Sequence, residues 1–171
     1  MDDAAALHEI EAIKQLKARY CRYLDDKDWD QWRGLFDDDF VSDIAGTGGR
    51  QTTGADAFVA YTRKSIGRPS QLTVHQVHAP EITLTSATTA DGVWALNDVV
   101  HLAPGITLHG YGHYHETYEK RDGHWLIKTS RLTRLREDIA TPLLPQRTAP
   151  RVRAIAAKLA RRTAPRTLTD V

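Results

Sequence analysis

Apolar residues recur along this chain with two different periods, and the change from one to the other divides it. Ile10, Ile13, Leu16, Tyr20 and Leu24 return every three or four residues and predict a helix through about Leu24. Trp29, Trp32, Leu35 and Phe36 suggest a second short helix, with Asp28 as its cap and Gln31 three residues on. Phe40–Ile44 reads as a short strand, Gly46-Thr47-Gly48-Gly49 as a turn, and residues 55–66 as a third helix ending near Gly67 and Pro69. From there the period drops to two. Strand-like stretches at about 72–85, 91–102, 106–120 and 124–136 are linked by Ala90-Asp91-Gly92, Ala103-Pro104-Gly105 and Arg121-Asp122-Gly123, read as hairpin-type turns. Helices followed by an antiparallel meander make the class α+β.

The alternation carries polar residues onto apolar faces. Trp94, Leu96, Asp98, Val100 and Leu102 share one side of their strand, and Trp125, Ile127, Thr129, Arg131, Thr133 and Leu135 share one side of theirs. Asp98 and Arg131 are therefore expected to point inward with Trp94 and Ile127. Buried charges are costly unless paired or used, so a lined cavity is implied. His109, Tyr111, His113 and His115 also share a face, which either lines a pocket or packs at a subunit interface. His113-x-His115-x-x-x-Glu119 resembles the first metal motif of cupins, but no second motif follows and the helical first third fits that fold poorly, so no metal is expected.

Length and charge narrow the classes. A chain of 171 residues is most simply one domain with a real core. The net charge of +1 gives no bulk drive toward nucleic acid or membrane, although residues 1–43 carry twelve acids against six bases and the chain from Arg131 onward ten Lys/Arg against three acids. Cys21 is alone, which excludes an internal disulfide framework. An acidic start and the lack of a long apolar run make a cytoplasmic protein the default expectation.

Chemistry has few carriers. His75 shares a strand face with Thr73 and Val77, and a histidine is the side chain best suited to move protons near neutral pH. Tyr20 and Asp25 bracket the end of the first helix, but five residues turn an ideal helix by about 140°, so the two converge only if the helix frays or turns there. No P-loop, no GxGxxG fingerprint and no GxSxG elbow is present, so acid–base chemistry without a cofactor is what remains if the chain is an enzyme.

The order Ile13-Lys14-Gln15-Leu16-Lys17-Ala18-Arg19-Tyr20, Leu24-Asp25, Asp28-Trp29-Asp30, Leu35-Phe36, then Thr73-Val74-His75-Gln76-Val77, then Gly112-His113-Tyr114 through Gly123-His124-Trp125-Leu126-Ile127, resembles SnoaL-like proteins of the nuclear transport factor two-like superfamily over about residues 8–136. That resemblance implies a cone, in which a curved antiparallel or mixed sheet wraps N-terminal helices around a deep pocket. Eliminating members of the superfamily include scytalone dehydratase, a bile-acid dehydratase and a dehydrochlorinase. They use a His–Asp pair assisted by Tyr, Lys or Arg. The matching positions are His75 and Asp25 for the pair, Tyr20, Arg131 on the closing strand, and Asp98 as an extra acid, with Trp94, Tyr111, His113 and Ile127 lining the pocket. The implied activity is a cofactor-independent lyase acting on a hydrophobic cyclic molecule such as a steroid or polyketide. A ketosteroid-type isomerase or cyclase, and a binding protein without chemistry, are the alternatives.

Residues 1–137 form the expected domain. Beyond it, residues 138–171 read as a basic extension broken by Pro142, Pro145 and Pro150, with residues 151–162 as a tail helix. Val93, Ala95, Val99, Leu126 and Leu132 are expected on the outer sheet face, and Val152, Ile155 and Leu159 on the tail helix also call for a partner. A homo-oligomer follows, with a trimer favoured over a dimer by the resemblance.

Overall fold

The computed structural model describes residues 2–141; the tail helix expected at 151–162 lies outside the described residues. Helix α1 (Asp3–Asp26) starts on Asp2, whose carboxylate accepts from the Ala5 amide at 2.7 Å. Its buried stripe is Ile13, Leu16, Lys17, Tyr20, Cys21 and Leu24, and Lys17 is a charged residue in the middle of an apolar face. The helix stops at Lys27, which adopts the left-handed conformation (φ 62°) with its amide on the Leu24 and Tyr23 carbonyls. Glycine usually fills that position, since an L-residue there costs on the order of 1 kcal/mol.

Helix α2 (Trp29–Arg33) is capped by Asp28, whose side chain accepts from the Gln31 amide. It ends sooner than its apolar spacing suggests, because Phe36 already belongs to strand β1 (Phe36–Asp43). A 3-10 turn at Ala45–Thr47 and strand β2 (Gln51–Thr53), unseen in the sequence pattern, precede α3 (Ala55–Ile66). Strands β3 (Thr73–Leu84), β4 (Thr89–Ala103), β5 (Ile106–Arg121) and β6 (His124–Ala140) follow.

The six strands form one curved, unclosed sheet in the order β2-β1-β6-β5-β4-β3, with β1 parallel to β6 and every other pair antiparallel. The class is α+β, with α1, α2 and α3 packed against the sheet. Among the described residues no helix is long and apolar enough to cross a membrane. The Ala90-Asp91-Gly92 segment is not a turn. It lies within β4, and Gly92 is there because a Cβ would stand 2.9 Å from the Tyr118 ring.

Strand β6 departs from simple alternation twice. Thr117 pairs with Thr129 while Tyr118 pairs with Ile127, which leaves Lys128 as an extra residue. Tyr111 pairs with Arg136 while Gly112 pairs with Arg134, which leaves Leu135 extra. Each bulge shifts the phase of the strand by one residue. Trp125 and Ile127 face the core, and after the first bulge Ser130 and Leu132 do so instead of Thr129 and Arg131. Leu132 therefore packs in the core and not on the outer face. The second bulge explains why the pattern fails at Leu135, although the strand runs on to Ala140.

Candidate active site

The end of α1 and the start of edge strand β3 bring Asp25 and His75 together. His75 Nδ1 lies 2.7 Å from Asp25 Oδ1, and the His75 amide donates to Asp25 Oδ2, also at 2.7 Å. Thr73, two residues earlier on the same face, donates its hydroxyl to Asp25 Oδ1 at 2.8 Å. An ionised carboxylate only accepts, so Nδ1 carries the shared proton and Nε2 is left with its lone pair. The His75 side chain is only 6% exposed, against 22% for Asp25.

Asp98 is the cross-strand partner of His75, on the same inward face. It is not paired with Arg131. Arg134 binds it through both terminal nitrogens, Nη1 to Oδ1 at 2.8 Å and Nη2 to Oδ2 at 2.6 Å. Arg131 is exposed on the outer face, where the bulge at Lys128 turns it. It stands opposite His115 there, and burial first, with Arg131 beside it, holds that imidazole below the usual histidine range. The bidentate pair depends on Gly110, which lies across from Asp98 and leaves room for the guanidinium.

Tyr20 is buried in an aromatic cluster with Trp32, Phe36 and Tyr114, at ring separations of 5.4 to 6.0 Å. Its hydroxyl hydrogen-bonds that of Tyr114. Burial drives both phenols well above their ordinary range, with Tyr114 adding to the shift at Tyr20 and Asp98 adding to it at Tyr114, so both stay protonated. Behind them lies a network that the sequence reading missed. Lys17 Nζ, fully buried, contacts Glu116 Oε1 at 2.6 Å and sits over the Tyr20 and Tyr114 rings at 4.0 and 3.8 Å. Glu116 also accepts from Ser130 at 3.0 Å and from Tyr118 at 2.5 Å, and Trp94 Nε1 donates to the Tyr118 hydroxyl at 2.8 Å. Two signals were present: Lys17 continues the α1 stripe, and Tyr114-x-Glu116-x-Tyr118 alternates a carboxylate between large aromatics.

A cleft of about 560 Å³ runs between α1 and β3, with Lys14, Ala18, Cys21, His75, Gln76, Val77, His78 and Trp94 in its wall. His75 is thus at an opening, while Tyr20, Asp98 and Ile127 belong to the packed interior behind it. The expected pocket lining is divided by the sheet. Trp94 faces the cleft and Ile127 the core, but Tyr111 and His113 alternate with the buried Gly112 and Tyr114 and lie on the outer face. His113 and His115 stand 6.3 Å apart there, and Glu119 is engaged with Arg121 and Lys128. Among the described residues no group of three or more His, Cys, Asp or Glu side chains is placed to hold a metal ion.

Solved structures share this architecture. A scytalone dehydratase-like protein from Novosphingobium aromaticivorans is 23% identical over 85% of this chain and 100% of its own, with a TM-score of 0.72. A hexachlorocyclohexane dehydrochlorinase from Novosphingobium barchaimii is 16% identical over 86% of this chain and 100% of its own, with a TM-score of 0.73. A protein of unknown function from Mycobacterium tuberculosis is 26% identical over 77% of this chain and 74% of its own, with a TM-score of 0.67. The SnoaL-like domain family matches residues 5–131, a span that holds Tyr20, Asp25, His75 and Asp98 and stops short of Arg134. The chain belongs to the SnoaL-like family.

Proposed function

We propose that this protein is a lyase that eliminates a small leaving group from a hydrophobic cyclic molecule, such as a steroid or polyketide, using only groups of its own chain. The observation that carries the reading is the 2.7 Å contact between His75 Nδ1 and Asp25 in the wall of an open cleft. His75 Nε2 takes a proton from a substrate carbon, the freed electron pair forms the double bond, and the leaving group departs with its own pair. Asp25 keeps the imidazole in its basic tautomer and stabilises the imidazolium once formed. Arg134, held by Asp98, supplies positive charge behind the site where negative charge develops. The Tyr20 and Tyr114 phenols are neutral hydrogen-bond donors on the same side of the sheet. The names of two fold neighbours, a dehydratase and a dehydrochlorinase, support elimination over isomerisation.

The test is dehydration of scytalone and of cyclic β-hydroxy ketones, and chloride release from hexachlorocyclohexane, by the native protein and by His75→Ala. On whichever compound turns over, loss of the base is expected to cost on the order of 100- to 10,000-fold. Near-normal turnover by a folded His75→Ala protein would remove the mechanism.

Assembly is part of the same reading. We propose a homo-oligomer, a trimer in preference to a dimer, formed over the outer sheet face that carries Val93, Ala95, Val99 and Leu126. Val74 on β3, Leu72 just before it and Leu102 near the end of β4 are also exposed.

A further inference from the structure

Asp25 is held by more than the imidazole. The Thr73 hydroxyl that donates to its Oδ1 itself accepts from Lys27 Nζ at 2.7 Å. An ammonium can only donate, so the Thr73 oxygen accepts toward Lys27 and its single proton is directed at Asp25. The carboxylate then receives the Thr73 hydroxyl, the His75 amide and the His75 ring, and cannot rotate without breaking one of them. The cation that starts this chain stands at the left-handed end of α1, where φ is 62° and the backbone favours glycine. Its ammonium is partly withdrawn from water, and that burial lowers its pKa against the opposing pull of Asp25. A lysine kept where glycine would be easier points to use of the side chain.

We propose that Lys27, acting through Thr73, is a positioning residue that locks the Asp25 carboxylate and thereby holds His75 as the Nδ1–H tautomer with Nε2 free. Its bearing on turnover rests on His75 being the base; the tautomer itself does not. The other charged or titratable groups around the imidazole are Lys14 and Cys21 of α1 and His78 of β3 in the cleft wall, and Asp98 of β4 with Arg134 of β6 behind it.

Nitrogen-15 NMR of the full chain, reading the ring tautomer of each histidine, tests this without a substrate. In Lys27→Gly the backbone strain is relieved, so the thermal midpoint should not fall. The Thr73 proton is then no longer directed at Asp25, so the carboxylate is freer to turn and the second His75 tautomer should become visible. Thr73→Val should show the same tautomer change, and Thr73→Ser, which keeps the hydroxyl, should not. A folded Lys27→Gly protein with an unchanged His75 tautomer overturns the proposal. If the tautomer shifts as stated but His75→Ala retains turnover, the base assignment fails and the positioning role stands.

Discussion

Gly110 lies directly across the sheet from Asp98, and a Cβ at that position would stand 2.1 Å from Asp98 Oδ1 and 2.3 Å from Arg134 Nη1. The absence of a side chain at one position on β5 is what allows a guanidinium from β6 to reach a carboxylate on β4. Gly110→Ala should therefore separate the pair. Breaking a buried ion pair leaves charge uncompensated and costs roughly 3 kcal/mol or more. Urea unfolding checks this, and a midpoint equal to the native one would show that the interior has room for the methyl group.

The buried Lys17–Glu116 pair predicts strong coupling. Lys17→Met leaves Glu116 facing only the Tyr118 and Ser130 hydroxyls, and should lose on the order of 3 to 5 kcal/mol. Glu116→Gln should lose a similar amount by leaving the ammonium between two aromatic rings. Together the changes should cost at least about 1 kcal/mol less than their sum, because the double variant strands no charge. Additive losses in a denaturation cycle would show that the two residues act independently.

Cys21 gives a pH dependence with a defined sign. Burial raises its thiol from 9.0 to about 11 in the folded chain. The folded pKa exceeds the unfolded one, so the folded state disfavours the thiolate. The stabilisation from keeping the thiol protonated is complete below pH 9 and is lost as pH rises to about 11; it is on the order of 2 kcal/mol. Two measurements follow. Iodoacetamide at pH 8 should label Cys21 slowly in the native protein and rapidly in urea, and Cys21→Ala should flatten the decline in stability between pH 9 and 11. Fast native labelling at pH 8 would contradict the burial.

Light scattering at micromolar concentration should give a mass of two or three chains. A clean monomer would leave the outer face of β3, β4 and β5 facing water. Val93→Lys and Ala95→Glu, both on that face, should lower the mass without lowering the helix signal in circular dichroism.

The sequence pattern held the helices and the four long strands because their periodicity is local. It held the inward direction of Asp98 and the shared face of Thr73, His75 and Val77 for the same reason. The Asp25–His75 contact is different. On an ideal helix Asp25 is rotated well away from Tyr20, and only the resemblance to SnoaL-like proteins suggested that it meets the histidine strand. The contact arises because α1 ends one residue later, at Asp26, and the chain turns at the left-handed Lys27 beside the edge strand. The Lys17–Glu116 pair is not legible in the pattern, because a charge in an apolar stripe does not name its partner, and this partner lies 99 residues away. Alternation puts Tyr111, His113 and His115 on one face, as they are, but pattern alone does not say which face looks inward when both are mixed. Gly110 and Gly112 on the opposite side were the available sign, since glycines on an inward face make space for large side chains from neighbouring strands.

The bulges at Lys128 and Leu135 make chain length, and not composition alone, decide what β6 presents. Arg134 stands an odd number of residues after Trp125, yet both look inward. In a relative whose last strand lacks a counterpart of Lys128, the arginine reaching the Asp98 position would stand an even number of residues from its tryptophan. An alignment without a gap at that point would set it against Thr133. Carrying site residues along this strand from one family member to another is therefore a question of phase, to be counted from the nearest bulge and not from the start of the strand.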